Sequence, residues 1–304
     1  MKVSIAMVTY NHEKYLAQAL DSVLMQKVDF NYEILVGEDC STDNTRNILM
    51  DYYLKYPDRI KPILHDKNVG PHANAAAVMA KCTGEYIALL EGDDYWTDPL
   101  KLQKQVDFLE SHYDFVACGH NFFIKNERGY SARLKFGSKL ELTDKLLVFH
   151  KKPLQEVYST VDLINQSWFM QTATIVYRNI KGFELPSWFA NCASGDMAFL
   201  LLLSLHGKVK YDDNPRSVYR LHPDGISAEY YGRNNVLKMV YLYQSFNIYT
   251  NYCYQEQLWM QILGEIKNLP EWCDPSTLSV KQAIKAFFMA LKRSIKKRLK
   301  FRSK

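Results

Sequence analysis

The sequence predicts an α/β protein whose mostly parallel sheet is covered by helices on both faces. Apolar, strand-like runs alternate with helical patterns along the first hundred residues, which is the spacing of parallel sheets. Two acidic clusters, at 38–43 and 91–94, each follow one of these runs. Ligands of such sheets bind at the carboxyl ends of the strands, so both clusters are candidate site residues.

The elements of the first hundred residues follow from their patterns. Apolar runs predict strands at 3–9, 32–38, 60–64 and 86–90. Helical patterns predict helices at 13–25, at about 41–56, at 73–82 and from 99 to about 109. Ser41 or Thr42 is expected to cap the second helix, and Pro99 to occupy the first position of the fourth.

The remainder of the chain is less regular. Strands are predicted at 115–124, 172–177, 208–211 and 217–221, with a buried helix at 196–205. From about residue 228 the chain is predicted to be helical, in two blocks separated by 268–279, a stretch with two prolines.

Composition and charge exclude several classes of protein. The chain of 304 residues is 47% hydrophobic, too apolar for a disordered protein. Its six cysteines form no C-x-x-C pair, so neither a zinc ribbon nor a disulfide framework is expected, and a reduced compartment is favoured. The longest apolar run, 197–203, is far shorter than the ~20 residues of a membrane span. No leader precedes the first strand, so a cytoplasmic protein is expected.

The acidic clusters predict a specific chemistry. Adjacent carboxylates at the ends of buried strands repel one another, and the repulsion grows as water is excluded. A divalent cation relieves it, and a cation held by carboxylates binds phosphate oxygens. The pattern therefore indicates a site for a nucleoside diphosphate.

Six motifs in order resemble the family 2 inverting glycosyltransferases, of the type that builds bacterial surface polysaccharides. They are VTYN at 8–11, EDCSTD at 38–43, NVG at 68–70, EGDD at 91–94, SGD at 194–196 and YRLHPDGIS at 219–227. The resemblance implies the GT-A fold, a Rossmann-like, mostly parallel sheet flanked by helices. It also implies a catalytic domain at 1–227, followed by a helical C-terminal extension at 228–304.

The resemblance implies a donor site and assigns residues to it. The donor-binding residues would be Thr9, Tyr10, Asn11, Glu38, Asp39, Asn68, Gly70, Glu91, Asp93 and Arg220. Thr9 and Asp39 would contact uracil or an equivalent base. The alternative for Asp39 is a cap on the following helix, and for Asp43 that alternative is favoured. Arg220 could instead pair with a core carboxylate.

The same resemblance implies a metal and a catalytic base. Asp93, Asp94 and His222 would hold Mn²⁺ or Mg²⁺, with Asp93 also placed to bind ribose. Because Glu91 occupies the first acidic position of the family's D-x-D motif, the division between ribose and metal stays open. Asp196 would be the general base, although Gly195 stands where the family more often has an acidic residue.

The expected partners are a nucleotide sugar, most simply a UDP-sugar, and a glycan or lipid-linked glycan acceptor. Residues 281–304 carry ten basic and no acidic residues, whereas the rest of the chain has a net charge of −5. That segment is predicted to be an amphipathic helix on an anionic membrane, which places the protein peripherally on the inner face of the cell membrane. No nucleic acid is expected, and an oligomer is possible.

Two alternatives stay open. A nucleotidyltransferase on a similar sheet would normally carry a Gly-rich, basic loop after the first strand, where this chain has Tyr10-Asn11-His12-Glu13. A non-catalytic protein that binds sugar or nucleic acid is the second alternative.

Overall fold

A computed structural model of the chain describes residues 1–127, 146–149, 155–166, 168–192, 194–225 and 233–267. The strands in this part are β1 (Val3–Thr9), β2 (Tyr32–Glu38), β3 (Ile60–Leu64), β4 (Tyr86–Glu91), β5 (Tyr95–Trp96), β6 (Phe115–His120), β7 (Phe123–Asn126), β8 (Leu147–Val148), β9 (Val157–Tyr158), β10 (Val176–Arg178), β11 (Lys208–Asp212) and β12 (Ser217–Leu221). The α-helices are α1 (Leu16–Leu24), α2 (Thr45–Lys55), α3 (Pro71–Met79), α4 (Lys101–Ser111), α5 (Thr160–Asn165), α6 (Gly195–Ser204), α7 (Arg233–Tyr249) and α8 (Gln255–Lys267).

The strands form two sheets. The larger has the order β3-β2-β1-β4-β10-β6-β11-β9, and its first four strands are all parallel. Strand β10 runs antiparallel to both of its neighbours, and β6 is parallel to β11. The smaller sheet has the order β5-β12-β7-β8. The predicted mixed α/β architecture with a mostly parallel sheet is confirmed.

Alternation along the central strands builds a core on each face of the large sheet. On β1, Ile5 and Met7 pack in one apolar cluster with residues of α1 and α4. Ala6 faces the other way, into a cluster formed with α5 and α6. Because both faces are covered, the central strands are almost continuously apolar.

Helices α7 and α8 pack against the body of the protein. Their buried side chains, among them Leu242, Phe246 and Leu258, belong to the same apolar cluster as α6. The extension therefore shares its core with the sheet, although the predicted boundary at 227 lies outside the described residues. No helix in the described ranges has both the length and the apolar character needed to cross a membrane.

Three helices begin later than predicted because side chains engage the preceding backbone. Neither Ser41 nor Thr42 caps α2, because their side chains bond to Asn11: the Ser41 hydroxyl accepts the Asn11 N–H at 3.0 Å, and the Thr42 hydroxyl donates to Asn11 Oδ1 at 3.3 Å. Asn44 is its N-cap residue instead. Pro99 precedes α4, whose N-cap residue is Leu100, and α1 begins at Leu16.

Two predicted strands are shorter than their apolar patterns. The run 115–124 divides into β6 and β7, which lie in different sheets, at Asn121. Asn121 Oδ1 accepts the Phe122 N–H at 2.8 Å, a local bond that turns the chain. Residues Thr172–Thr174 form a 3₁₀ turn, which Gln171 caps through the Ala173 N–H at 2.8 Å.

Candidate active site

The strand ends that carry the acidic motifs meet at one edge of the large sheet. In the register of the parallel strands, Thr9 at the end of β1 lies beside Glu38, and Val8 lies beside Glu91. The Asp39 N–H also donates to the Thr9 carbonyl at 3.1 Å. The motifs at 8–11, 38–43 and 91–94 therefore converge, as parallel strands with these ends require.

Asp39 joins two of these motifs. Its carboxylate accepts the Val69 N–H at 2.7 Å and the Gly70 N–H at 2.9 Å. Gly70 has φ +87°, a conformation that glycine adopts without strain, and Asn68 Oδ1 also accepts its N–H at 3.1 Å. For Asp43 the sequence favours a role at the start of the following helix, and its carboxylate accepts the Thr45 N–H at the start of α2.

Thr9, Tyr10 and Asn11 have different environments. Thr9 is buried, and its hydroxyl has no hydrogen-bond partner among the described residues. Tyr10 is 40% exposed, whereas Asn11 has φ +55° and uses its side chain to hold the Thr42 N–H. A Cβ on Gly92 would lie 2.6 Å from the Thr9 hydroxyl, so only glycine fits there.

Glu38 is fully buried and already paired. Its carboxylate forms an ion pair with Arg46 and accepts the Ser41 N–H at 2.6 Å. Arg46 also donates to the His65 carbonyl at 2.6 Å. Both oxygens of Glu38 therefore hold protein groups, which favours a role in bracing the loop over direct contact with a donor.

Replacing Glu38 by Gln tests this bracing role. The change removes the negative charge that Arg46 faces, so we expect the free energy of unfolding to fall by about 1–3 kcal/mol. Binding of UDP, measured by calorimetry at a temperature where the variant is folded, is expected to change little. If the variant keeps its stability but no longer binds UDP, Glu38 is a donor-binding residue and not a bracing one.

The second acidic cluster contains two carboxylates that are held by one glutamine. Gln171 Nε2 donates to Glu91 at 3.0 Å and also to Asp94. Burial, followed by the charge of Asp93, raises the pKa of Glu91 to about 8. Burial and the charges of Asp93 and Glu91 raise the pKa of Asp94 well above its ordinary value.

Asp94 is the more enclosed of the two aspartates of the motif. It is 1% exposed, and its second oxygen accepts the Arg220 N–H at 2.8 Å. Each carboxylate oxygen thus accepts one protein N–H, and the raised pKa holds the group toward its protonated form, which favours a supporting role for Asp94 over that of main metal ligand.

Asp93 instead faces two histidines. Its Oδ2 lies 3.1 Å from Nε2 of His222 and 3.7 Å from Nε2 of His12. Burial opposes ionisation of Asp93, but His12 and His222 outweigh it and hold its pKa below the ordinary value. This carboxylate is therefore ionised at neutral pH, while Glu91 and Asp94 are held toward the protonated form.

The Arg220 side chain is held beside the acidic motif at 91–94 by several contacts. Its guanidinium donates to the Asp93 carbonyl and to Gln18, and it lies 4.9 and 4.5 Å from the ring centroids of Tyr15 and Tyr95. Its Nε also lies 3.9 Å from an oxygen of Glu127, a partly exposed carboxylate and not a core one. These contacts fix the two terminal nitrogens of the side chain that was expected to contact the diphosphate.

The donor set fits a hard divalent cation. Asp93 and His222 supply a carboxylate and a buried imidazole on the same side, and Mg²⁺ and Mn²⁺ commonly take one or two protein ligands and fill the rest from phosphates and water. Within the described ranges, no group of three or more His, Cys, Asp and Glu side chains is arranged to hold a metal alone. Phosphate oxygens of a bound nucleotide would have to complete the shell.

Asp196 lies in the first turn of α6, which gives it the positive end of a helix dipole. Its Oδ1 accepts the Met197 N–H at 2.8 Å and the Ser194 hydroxyl, and its Oδ2 accepts the Trp168 indole N–H. Burial raises its pKa even against these donors. Its charge in turn contributes to the raised pKa of Glu91, so the two carboxyl groups belong to one electrostatic cluster.

Three residues of the site were missed from the sequence. His12 directly follows the first motif but has no metal-ligand spacing, and Gln171 and Trp168 belong to no recognised motif. Aromatic and amide side chains outside a motif carry no local signal, because only the fold brings them to the carboxylates.

Comparison with known proteins gives consistent results. Residues 4–173 match the profile of glycosyl transferase family 2. A protein of Mycobacterium tuberculosis described as uncharacterised is 35% identical over 225 residues, which cover 74% of this chain and 60% of that protein. The chain thus spans about 60% of the length of this relative.

Two solved structures have a similar fold. Staphylococcus aureus TarS in complex with UDP-GlcNAc matches with a TM-score of 0.60 at 18% identity, over 87% of this chain and 72% of that one. A mannosyltransferase of Pyrobaculum calidifontis in complex with GDP-Man and Mn²⁺ matches with a TM-score of 0.53 at 14% identity, over 93% and 80%.

Proposed function

The chain belongs to glycosyl transferase family 2, and on that premise we propose that it transfers a sugar, with inversion, from a nucleotide-sugar donor to a hydroxyl of a glycan acceptor. The observation that carries the proposal is the edge of the sheet where Asp39 and the Asp93–His222 pair lie, with the half-buried Asp196 close enough for its charge to act on Glu91 of the same edge. A nucleoside diphosphate, a cation and a base are needed together for this reaction, and each has a candidate side chain here.

The donor is proposed to be a UDP-sugar. Thr9 and Asp39 would contact the base. The Thr9 hydroxyl has no hydrogen-bond partner among the described residues, and each Asp39 oxygen accepts one backbone N–H and keeps a lone pair that can accept the N3–H of uracil. The loop Asn68–Gly70, tied to Asp39 by two backbone hydrogen bonds, would close beside the nucleotide. The UDP-GlcNAc complex of TarS, which has a similar fold, supports this class of donor.

Asp93 and His222 are proposed as the protein ligands of Mn²⁺ or Mg²⁺, with Asp94 as their support. When bound, the cation would stabilise the negative charge that develops on the departing diphosphate. The Mn²⁺ complex of the Pyrobaculum mannosyltransferase supports the choice of metal. Glu91, with its raised pKa, would donate or accept a hydrogen bond at the ribose.

Asp196 is proposed as the general base. The acceptor hydroxyl gives its proton to the carboxylate as its oxygen attacks the anomeric carbon. The bond from that carbon to the diphosphate breaks on the opposite side, which inverts the anomeric configuration. Burial raises the pKa of Asp196, and a carboxylate of higher pKa is a stronger base than one with the ordinary value.

A donor screen tests the proposal as a whole. The protein would be incubated with UDP-GlcNAc, UDP-glucose, UDP-galactose and GDP-mannose, with Mn²⁺ or Mg²⁺ and simple glycosides as acceptors. We expect release of a nucleoside diphosphate, and NMR of the product should give the inverted anomer. Release of pyrophosphate would favour a nucleotidyltransferase, and binding without turnover of any donor would favour a non-catalytic protein.

The acceptor is proposed to be a glycan carried on a lipid, which the protein would meet at the inner face of the cell membrane. Residues 281–304, outside the described part of the chain, supply the positive charge for this contact. Truncation after Ser279 is expected to reduce co-sedimentation with phosphatidylserine-containing vesicles by about tenfold or more. Equal sedimentation of both proteins would remove the membrane proposal and leave the enzymatic one intact.

A further inference from the structure

The carboxylate of Asp196 is fixed by donors from both sides. Oδ1 accepts from Ser194 and from the Met197 N–H, which both lie beside Asp196 in the chain. Oδ2 accepts from Trp168, which is 28 residues away and precedes the 3₁₀ turn Thr172–Thr174. Trp168 is therefore the one long-range contact among these three donors.

The indole ring is itself held by aromatic neighbours. Its centroid lies 5.5 Å from that of Phe122, 5.7 Å from that of Phe149 and 6.1 Å from that of Tyr219. Such pairs have preferred geometries and resist reorientation in a packed core. Tyr219 lies on β12, the strand that leads into His222, so the cluster joins the base to the strand that precedes the proposed metal ligand.

We propose that Trp168 is a positioning residue for the catalytic base: its indole N–H fixes the Asp196 carboxylate and stabilises its ionised form. The inference rests on the proposed function, in which Asp196 accepts the proton of the acceptor hydroxyl. Nothing in the sequence motifs assigns a role to this tryptophan.

The electrostatic surroundings of Asp196 support the proposal. Burial raises its pKa, and the donors from Ser194, Trp168 and the backbone oppose this effect. Of the charged or titratable groups on other elements, Glu91 at the end of β4 responds to the Asp196 charge, and His72 on α3 lies near the neighbouring Gly195, with Lys238 of α7 close enough to act on His72. None of these three donates a hydrogen bond to Asp196 in the described structure, where the donor to Oδ2 is the Trp168 indole N–H.

Replacing Trp168 by Phe keeps an aromatic ring and removes the N–H. Since the ionised base loses a donor, the acid limb of the pH–rate profile is expected to move to higher pH. Transfer below that limb should slow by about tenfold, while the plateau rate at high pH is largely retained. A purely structural role would lower the rate evenly and leave the limb in place.

Trp188→Phe is the matched control. The Trp188 indole nitrogen is buried and has no hydrogen-bond partner among the described residues, so this substitution removes a ring of the same size without removing a donor from a carboxylate. Its pH–rate profile is expected to keep the wild-type midpoint. A shift of equal size in both variants would overturn the assignment to Trp168.

A measurement on the unmodified sequence covers the case in which Trp168→Phe does not fold. In ¹⁵N-labelled wild-type protein, one indole N–H signal is expected to titrate with the midpoint of the acid limb, and to lose that titration in Asp196→Asn. If no indole signal follows the midpoint, Trp168 does not hold the base. If Asp196→Asn is fully active, Asp196 is not the base, whatever the indole signals show. A failure of the proposed function can therefore be told apart from a failure of the role assigned to Trp168.

Discussion

Replacing Asp196 by Asn is expected to abolish sugar transfer while leaving the fold and the donor site intact. Asn has nearly the same shape and can keep the hydrogen bonds from the Met197 N–H and from Ser194, but its N–H₂ group faces the Trp168 N–H and it cannot accept a proton at neutral pH. General base catalysis contributes about 10²–10⁴-fold, so a loss of at least two orders of magnitude in kcat is expected. UDP affinity in the presence of Mn²⁺, measured by calorimetry, should change by less than about threefold.

The pH dependence of the wild-type enzyme belongs to the same prediction. A base must be ionised to act, and burial raises the pKa of Asp196. The transfer rate should therefore rise with pH through that raised pKa, and fall as the pH drops below it. Asp51→Asn, an exposed change on α2, serves as the control and should follow the wild-type profile. Normal turnover by Asp196→Asn would end the base proposal.

Much of the parallel half of the sheet could be predicted from the sequence because its strands are buried on both faces. Continuous apolar runs located β1 and β2 to the residue, the shorter mixed run at 60–64 located the edge strand β3, and the adjacency of parallel strand ends then brought Thr9 beside Glu38. Such runs are readable because burial and strand length leave few alternatives. The family resemblance is confirmed by the match over residues 4–173.

The boundaries and the fine division of roles could not be predicted, for physical reasons. Hydrogen bonds from loops set the start of α2, and the turn at Asn121 divided one apolar run between two sheets. The sequence does not distinguish neighbouring carboxylates of one motif. In the structure, Asp94 accepts hydrogen bonds from Arg220 and Gln171, whereas Asp93 contacts His222. A role that depends on which long-range donors a side chain meets is fixed only by tertiary structure.

The two aspartates of the acidic motif can be separated by the same substitution at each position. In Asp93→Asn the carboxylate that faces His222 is lost, so Mn²⁺ binding, followed by electron paramagnetic resonance with and without UDP, should weaken by at least about tenfold. Transfer should fall by two orders of magnitude or more, because the diphosphate leaves without its counter-charge. Stability at neutral pH should also fall, because His12 and His222 hold the pKa of Asp93 below its ordinary value, so the charge of this carboxylate favours the folded state.

In Asp94→Asn we expect Mn²⁺ binding to be retained and the main loss to be one of stability. An amide is close in shape to a protonated carboxyl group, but it presents an N–H₂ group that both Gln171 and the Arg220 N–H would have to avoid. At least one buried donor loses its acceptor, which should lower the free energy of unfolding by about 1–3 kcal/mol, while Mn²⁺ affinity stays within a few-fold of wild type. If instead Asp94→Asn lost Mn²⁺ binding at unchanged stability, Asp94 would be the ligand that the motif alone had indicated. Comparison of the Asp93→Asn and Asp94→Asn variants thus shows which carboxylate binds the cation and which stabilises the surrounding structure.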